Sequence, residues 1–429
     1  MQALSSIRTA FRPIAQKGSW YWLRFAVLLA AGAYAGHLMS TGYWLTETRY
    51  KIYRRQLTLR DHANLYPRRT ALVLLDDDDY WGDSFQARTP LKRHELAVLL
   101  NRLNEVGVNT VALDVDLRSP RPDSPAFEFA DYKGEDSELI SAVERMCAAG
   151  RHVILASSVR FGDRGYEEMP SIYTGSRPSL PCLQTGYIQL PYDMRRVPGP
   201  LELADSGRLD SLSLAVVAIA DPTAYAEVAA ETGRGFRFSQ FLMPADFATR
   251  QGSQHIFSGR EVKMMDTSAL RRQLADKLVF LGASWHSNAY GVGPQVDMHA
   301  SPGGPEPGVM LHANYVEAML DRSGTFTPVS DATAEGVELF LVLALGLFGA
   351  LNLHFLWKWA ALLTGCLFSI LLSYTLLQNL GLFLDFLVPL VVILLHKVAE
   401  ELLMIWRELR LARKASIPGQ KSQPVEVFQ

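Results

Sequence analysis

The chain has 429 residues, 48% apolar and 20% charged, with 42 Lys and Arg against 44 Asp and Glu for a formal net charge of -2. So balanced a charge, with no Lys/Arg stripe interleaved with aromatics, argues against nucleic-acid binding. The length suits two or three domains, but the apolar residues concentrate in long runs at both ends.

Four segments approach the roughly 20 apolar residues that cross a bilayer core. They are Trp20 to Leu38, Gly336 to Phe355, Trp359 to Leu377 and Leu380 to His396. Ala33-Tyr34-Ala35 resembles a signal-peptidase site, but the aromatic entry Trp20, Tyr21, Trp22 favours an uncleaved anchor, because aromatic rings prefer the interface. With four crossings, Arg8, Arg12 and Lys17, then Lys358, then Lys397, Arg407, Arg410, Arg413 and Lys414 all fall on one side. That side is expected to be cytoplasmic. Arg49, Lys51, Arg54 and Arg55 argue the other way, yet long exported domains translocate largely regardless of charge.

The expected organisation is a cytoplasmic start (1–19), a membrane helix (20–38), an exported domain (46–330), three membrane helices (336–396) and a cytoplasmic tail (397–429). The first half of the tail repeats apolar residues at helical spacing, and its end, rich in Pro, Ser and Gln, suits disorder. Asp385 lies inside the fourth segment. An acid there marks a proton or ion relay, or more simply a helix-packing hydrogen bond or a place near the interface.

Within the exported domain, Thr70 to Leu75 is a short apolar run suited to a strand buried on both faces. In the helix that follows, Leu96, Leu99, Leu100 and Leu103 form one stripe and Gly107 is the stop. Strand Thr110 to Val115, helix Asp136 to Ala149 and strand His152 to Ala156 repeat the pattern. Such alternation implies parallel pairing with helices on both faces of the sheet. Ser211 to Ala220 reads as a helix and Phe236 to Leu242 as a strand, within a middle region otherwise rich in Gly and Pro. Lys277 to Leu281 reads as a central strand, with a helix from His312. The fold class expected is therefore an α/β exported domain with a mainly parallel, helix-covered sheet, plus four transmembrane helices. Of the three cysteines, Cys366 lies in an apolar run. A Cys147–Cys182 disulfide is open, but a small core residue and a free loop thiol are the simpler expectation.

Several blocks together resemble a known family. An apolar strand with an acidic end is followed by Pro90-Leu91-Lys92-Arg93-His94, and a second strand ends in Asp114-x-Asp116. The closing block is Phe280 to Ser284 (FLGAS), Asp297-x-His299-x-x-Pro302, and Pro307-Gly308-Val309 ahead of His312-Ala313-Asn314. From about Tyr50 to Phe326 the chain is similar to the second type of CHASE domain, the cyclase/histidine-kinase-associated sensory extracellular domains. The resemblance implies an exported sensor that signals through its membrane helices to a cytoplasmic output module. No such module follows in this sequence, so the transmitter would be a separate protein.

In open parallel sheets, ligands bind beyond the carboxyl ends of the strands. That places Asp76, Asp77, Asp78, Asp79, Asp114, Asp116 and Ser157 on one rim, with Arg93 as a partner for the acids. Asp297, His299, His312 and Asn314 form a second group. The sharp reading is a divalent cation or small polar ligand held by these acids, although an EF-hand register fails at Trp81 and Arg88. The simpler reading is acids that stabilise turns and helix starts. Gly282-Ala283-Ser284-Trp285-His286 lacks the second Gly of a nucleophile elbow, and Gly291-Val292-Gly293-Pro294 lacks the rest of a phosphate loop. No catalysis and no resident cofactor are expected. Two functions stand: a sensor that biases a separate membrane or cytoplasmic partner, or a structural subunit of a membrane complex. Either would act in the lipid bilayer, and a homo-oligomer is expected.

Overall fold

The computed structural model describes residues 67–118, 132–172, 180–190, 197–205, 207–232, 236–238, 254–301, 304–320, 326–328, 355–380 and 405–413, with a few isolated positions. The chain divides into two compact units. One holds Tyr50–Asp331 and Thr375–Phe383, the other Met1–Arg49, Ala332–Tyr374 and Leu384–Gln429.

The first unit is built on six parallel strands: β1 (Thr70–Leu75), β2 (Thr110–Asp114), β3 (His152–Ser157), β4 (Leu183–Tyr187), β5 (Ile256–Ser258) and β6 (Leu278–Ala283). Their order across the sheet is β5-β1-β6-β2-β3-β4, and every neighbouring pair is parallel. The late strand β6 is thus inserted between β1 and β2, in register Leu72↔Phe280↔Ala112.

The helices are α1 (Asp77–Trp81), α2 (Arg93–Val106), α3 (Tyr132–Ala148), α4 (Leu212–Ala220), α5 (Pro222–Thr232), α6 (Gly259–Met264), α7 (Thr267–Leu274) and α8 (Gly308–Leu320). Because side chains alternate across a strand, each apolar run feeds two cores. Ala71, Val73 and Leu75 pack with Val111, Leu113, Val279 and Leu281 against the stripe Leu96, Leu99, Leu100, Leu103 of α2 and against α3, α6 and α7. Leu72, Ala112, Ile154 and Phe280 face the opposite way, onto α4, α5 and α8.

Every residue of α8 is buried. A helix enclosed all round must satisfy its polar side chains internally. Glu317 Oε1 accepts from Arg69 N (2.7 Å), Thr70 N (2.6 Å) and Thr70 Oγ1 (2.8 Å), which fastens α8 to the entry of β1. Close contact between α8 and β6 depends on Gly282, where a Cβ would lie 2.6 Å from Val309 Cβ.

The expected strands and helices of this unit are present with small changes in their ends, and α8 begins one turn before His312. Phe236–Phe238 is a strand, but it pairs with Phe326–Pro328 outside the main sheet. Two departures follow, one in a cysteine pair and one at Arg93. Cys147 and Cys182 form a disulfide, their Cα atoms 5.5 Å apart, so Cys182 is not the free loop thiol of the simpler expectation and Cys147 is more than a small core residue. Arg93 is fully buried at the start of α2, where its Nε lies 3.6 Å from Asp136 Oδ1, and so does not serve the Asp76 to Asp79 run. Asp136 lies on α3, and the Arg93 charge also acts on Asp116, one of the rim acids.

A further helix, α9 (Phe355–Leu380), covers the third apolar segment and takes in Lys358, expected in a turn, as part of its first turn. Leu363, Leu367, Phe368, Ile370 and Leu371 are exposed on it. Residues 405–413 are helical, as the spacing in the tail predicts. Among the described residues no helix is long and apolar enough to cross a membrane. Most of the first, second and fourth apolar segments, Asp385 and the end of the tail lie outside the described residues.

Candidate functional site

Adjacent strands β2 and β6 send the chain to opposite faces: β2 leads to α3 in one core, β6 to α8 in the other. A crevice opens at the carboxyl ends of such a pair. There the structure has a cavity of about 680 Å³, lined by Thr89, Pro90 and Leu91 before α2 and by Asp114, Val115, Asp116 and Arg118 after β2. The remaining walls are Met169, Pro170, Ile188, Ala283, Trp285, Val296 and Asp297. Its size lies within the range of small-molecule sites. Met169 and Pro170 reach it because the hairpin Val159–Glu168 folds over the end of β3, where Ser157 Oγ donates to Glu168 Oε1 (2.6 Å).

The acids of the rim fall into two sets. Asp76 to Asp79 do not line the cavity, because β1 passes directly into α1, and the carboxylates of Asp76, Asp77 and Asp79 turn back to nearby donors. Asp76 caps α1, accepting from Asp79 N (3.0 Å). Asp77 accepts from His286 N (2.7 Å) and pairs with His286 Nδ1 (2.9 Å). Burial alone would raise its pKa, but the hydrogen bonds and charge of His286 outweigh this and hold it below the usual carboxylate value. Asp78 is exposed. Asp79 is buried and accepts from Gly259 N (2.7 Å); burial, then the charge of Asp76, pushes it up to about 6. Asp76, Asp77 and Asp79 are thus engaged in a helix cap and loop contacts, while Asp78 faces solvent.

Asp114, Asp116 and Asp297 do meet at the cavity. Burial also favours the neutral form of Asp116, but Arg118 donates to it from Nε (2.9 Å) and from its backbone N (3.0 Å) and holds its pKa low. Asp114 lacks such help. It is buried, and among the described residues no hydrogen bond or ion pair reaches its carboxyl; burial, with the charge of Asp297 added, raises it to about 8.

Asp297 has a left-handed backbone (φ 53) and accepts from His299 Nε2 (3.0 Å). Its position explains Pro-Gly-Val: Gly308 N donates to Asp297 O (2.9 Å), and a Cβ on Gly308 would lie 2.4 Å from Asp297 Oδ2. His312 and Asn314 are buried in α8 and do not line the cavity. His312 Nδ1 meets Ser213 Oγ at 2.9 Å, and burial lowers its pKa to about 4, so it is neutral. Asn314 Nδ2 donates to Glu306 Oε2 (3.3 Å).

Sequence reasoning missed the apolar walls and Arg118. The available signal was position, since Arg118 follows the Asp114-x-Asp116 strand end and Trp285 follows β6. Trp285 is held by stacking on Tyr80, with ring centroids 4.3 Å apart. Among the described residues, no three His, Cys, Asp or Glu side chains are grouped to hold a metal ion.

The CHASE2 domain model matches residues 25–349, most of the chain. The chain belongs to the CHASE2 family. CHASE2 is a sensory extracellular domain type, consistent with signal sensing. No curated protein and no solved structure matches the chain.

Proposed function

We propose that this CHASE2 protein is a membrane-anchored sensor. Its α/β domain faces the extracytoplasmic side, takes a small ligand into the rim cavity, and passes its state through the apolar segments to a separate signalling or complex-forming partner. It acts by binding and not by catalysis, and it works in the bilayer as a multi-pass protein, as a homo-oligomer, with both termini cytoplasmic. The observation that carries this reading is the cavity at the β2/β6 switch point, lined by the buried Asp114. The Cys147–Cys182 disulfide supports an oxidising compartment. Four apolar segments and the exposed apolar side chains of α9 support membrane embedding.

The test is a thermal-shift screen of the full chain in lipid nanodiscs against amines, amino acids, sugars, nucleotides and divalent cations. A ligand at a hundred times its Kd adds about 2.7 kcal/mol, or roughly 5–10 °C for a domain of this size. Ala283→Phe, which fills the cavity, is expected to abolish that shift. A flat response across the panel refutes the sensor reading and leaves a structural subunit.

A further inference from the structure

We propose that the cavity binds a small organic ammonium compound, an amine on an apolar body, with Asp114 and Asp297 holding its charged head. This rests on the ligand-sensor reading above. Asp114 decides the chemistry: it lines the cavity and is buried, yet among the described residues nothing donates to its carboxyl. A buried carboxylate in that state is costly, and a second carboxylate nearby makes it more so. Asp114 accordingly sits at about 8. A cation seated between Asp114 and Asp297 relieves both burdens.

The neighbouring charges exclude other classes. Arg118 is already engaged by Asp116, so an anion would meet Asp114 with no partner of its own and Asp297 beside it. A neutral polyol would bring no charge to offset Asp114. His299 sits on Asp297, and His312, facing it from α8, is neutral and tied to Ser213, so neither supplies the missing cation to Asp114. A bare metal ion would find Asp114 and Asp297 but not a third grouped ligand among the described residues. Pro90, Leu91, Ile188 and Trp285 make the rest of the wall largely apolar, which suits a hydrocarbon body behind the charged head.

The experiment titrates the full chain in nanodiscs with phenethylamine and n-pentylamine, and with 2-phenylethanol as the uncharged counterpart. Calorimetry is done at about pH 8.5, where the amines stay protonated and most of Asp114 is ionised. An amine is expected to bind at least about ten-fold more tightly than the alcohol, and Asp114→Asn to remove at least about ten-fold of that affinity. Asp297→Asn gives a second reading should Asp114→Asn fail to fold. Equal affinity for amine and alcohol, or unchanged amine affinity in the folded variants, overturns the proposal. Should only a sugar or nucleotide bind, and lose its hold in Ala283→Phe, the ammonium assignment fails while the sensor reading survives. No binding by any compound removes both.

Discussion

Glu317 offers a sharp test of how α8 is fastened to the sheet. One of its oxygens accepts three hydrogen bonds, two from backbone N–H groups and one from the Thr70 hydroxyl, at 2.6–2.8 Å. Both Glu317 and Thr70 are buried, so water does not readily replace the acceptor. A hydrogen bond to a charged group contributes about 1.5–3 kcal/mol, and a buried donor left unmatched costs about 1–3 kcal/mol. The three bonds share one oxygen and do not add fully, so Glu317→Ala should destabilise the domain by about 3–5 kcal/mol. Glu317→Gln keeps an acceptor oxygen and loses only the charge, for about 1–2 kcal/mol. At roughly 2–4 °C per kcal/mol, the alanine variant should melt about 6–20 °C below the parent, and the glutamine variant about 2–8 °C below. Melting of the full chain, followed by tryptophan fluorescence, measures both. An alanine variant that melts with the parent, or a glutamine variant that melts as low as alanine, would refute the reasoning.

Gly282→Ala places a Cβ against Val309, so overpacking should cost about 1–3 kcal/mol and appear as a lower melting temperature. Reducing the Cys147–Cys182 bridge, which closes a separation of 35 residues, should remove about 4 kcal/mol, read as a lower melting temperature under dithiothreitol that Cys147→Ser/Cys182→Ser reproduces without it. Asp79 gives a pH dependence. Its folded pKa of about 6 lies above the unfolded 3.8, so the native state holds the extra proton between these values and stability falls as pH rises through that window. Relative to Asp79→Asn, the wild type should lose on the order of 2 kcal/mol from pH ~4 to pH ~6.5 and then level off; a constant difference would contradict the assignment.

The central strands and helices could be read from sequence because burial imposes a period. TALVLL and KLVFL have no polar interruption, and the leucines of α2 recur on one face. The edge strands could not. Leu183–Tyr187 is half polar and Ile256–Ser258 is only three residues long, so neither carries a hydrophobic pattern. The acidic rim was visible as composition but not as geometry. Asp76 to Asp79 enter a helix at once, three of them taken up by a cap and loop contacts, while Asp114 and Asp297 are joined only when β6 inserts beside β2. The disulfide was hidden for the same reason, since it depends on the end of α3 approaching the loop before β4.

The central claim is that the cavity between the ends of β2 and β6 is where this protein receives its ligand. Hydrogen exchange of the full chain in nanodiscs, with and without saturating phenethylamine, tests it most directly. Slowed exchange is expected to be confined to the segments that line the cavity, residues 89–91, 114–118, 169–170, 188 and 283–297. Protection elsewhere in a chain that does bind the amine, with these segments unchanged, would contradict it.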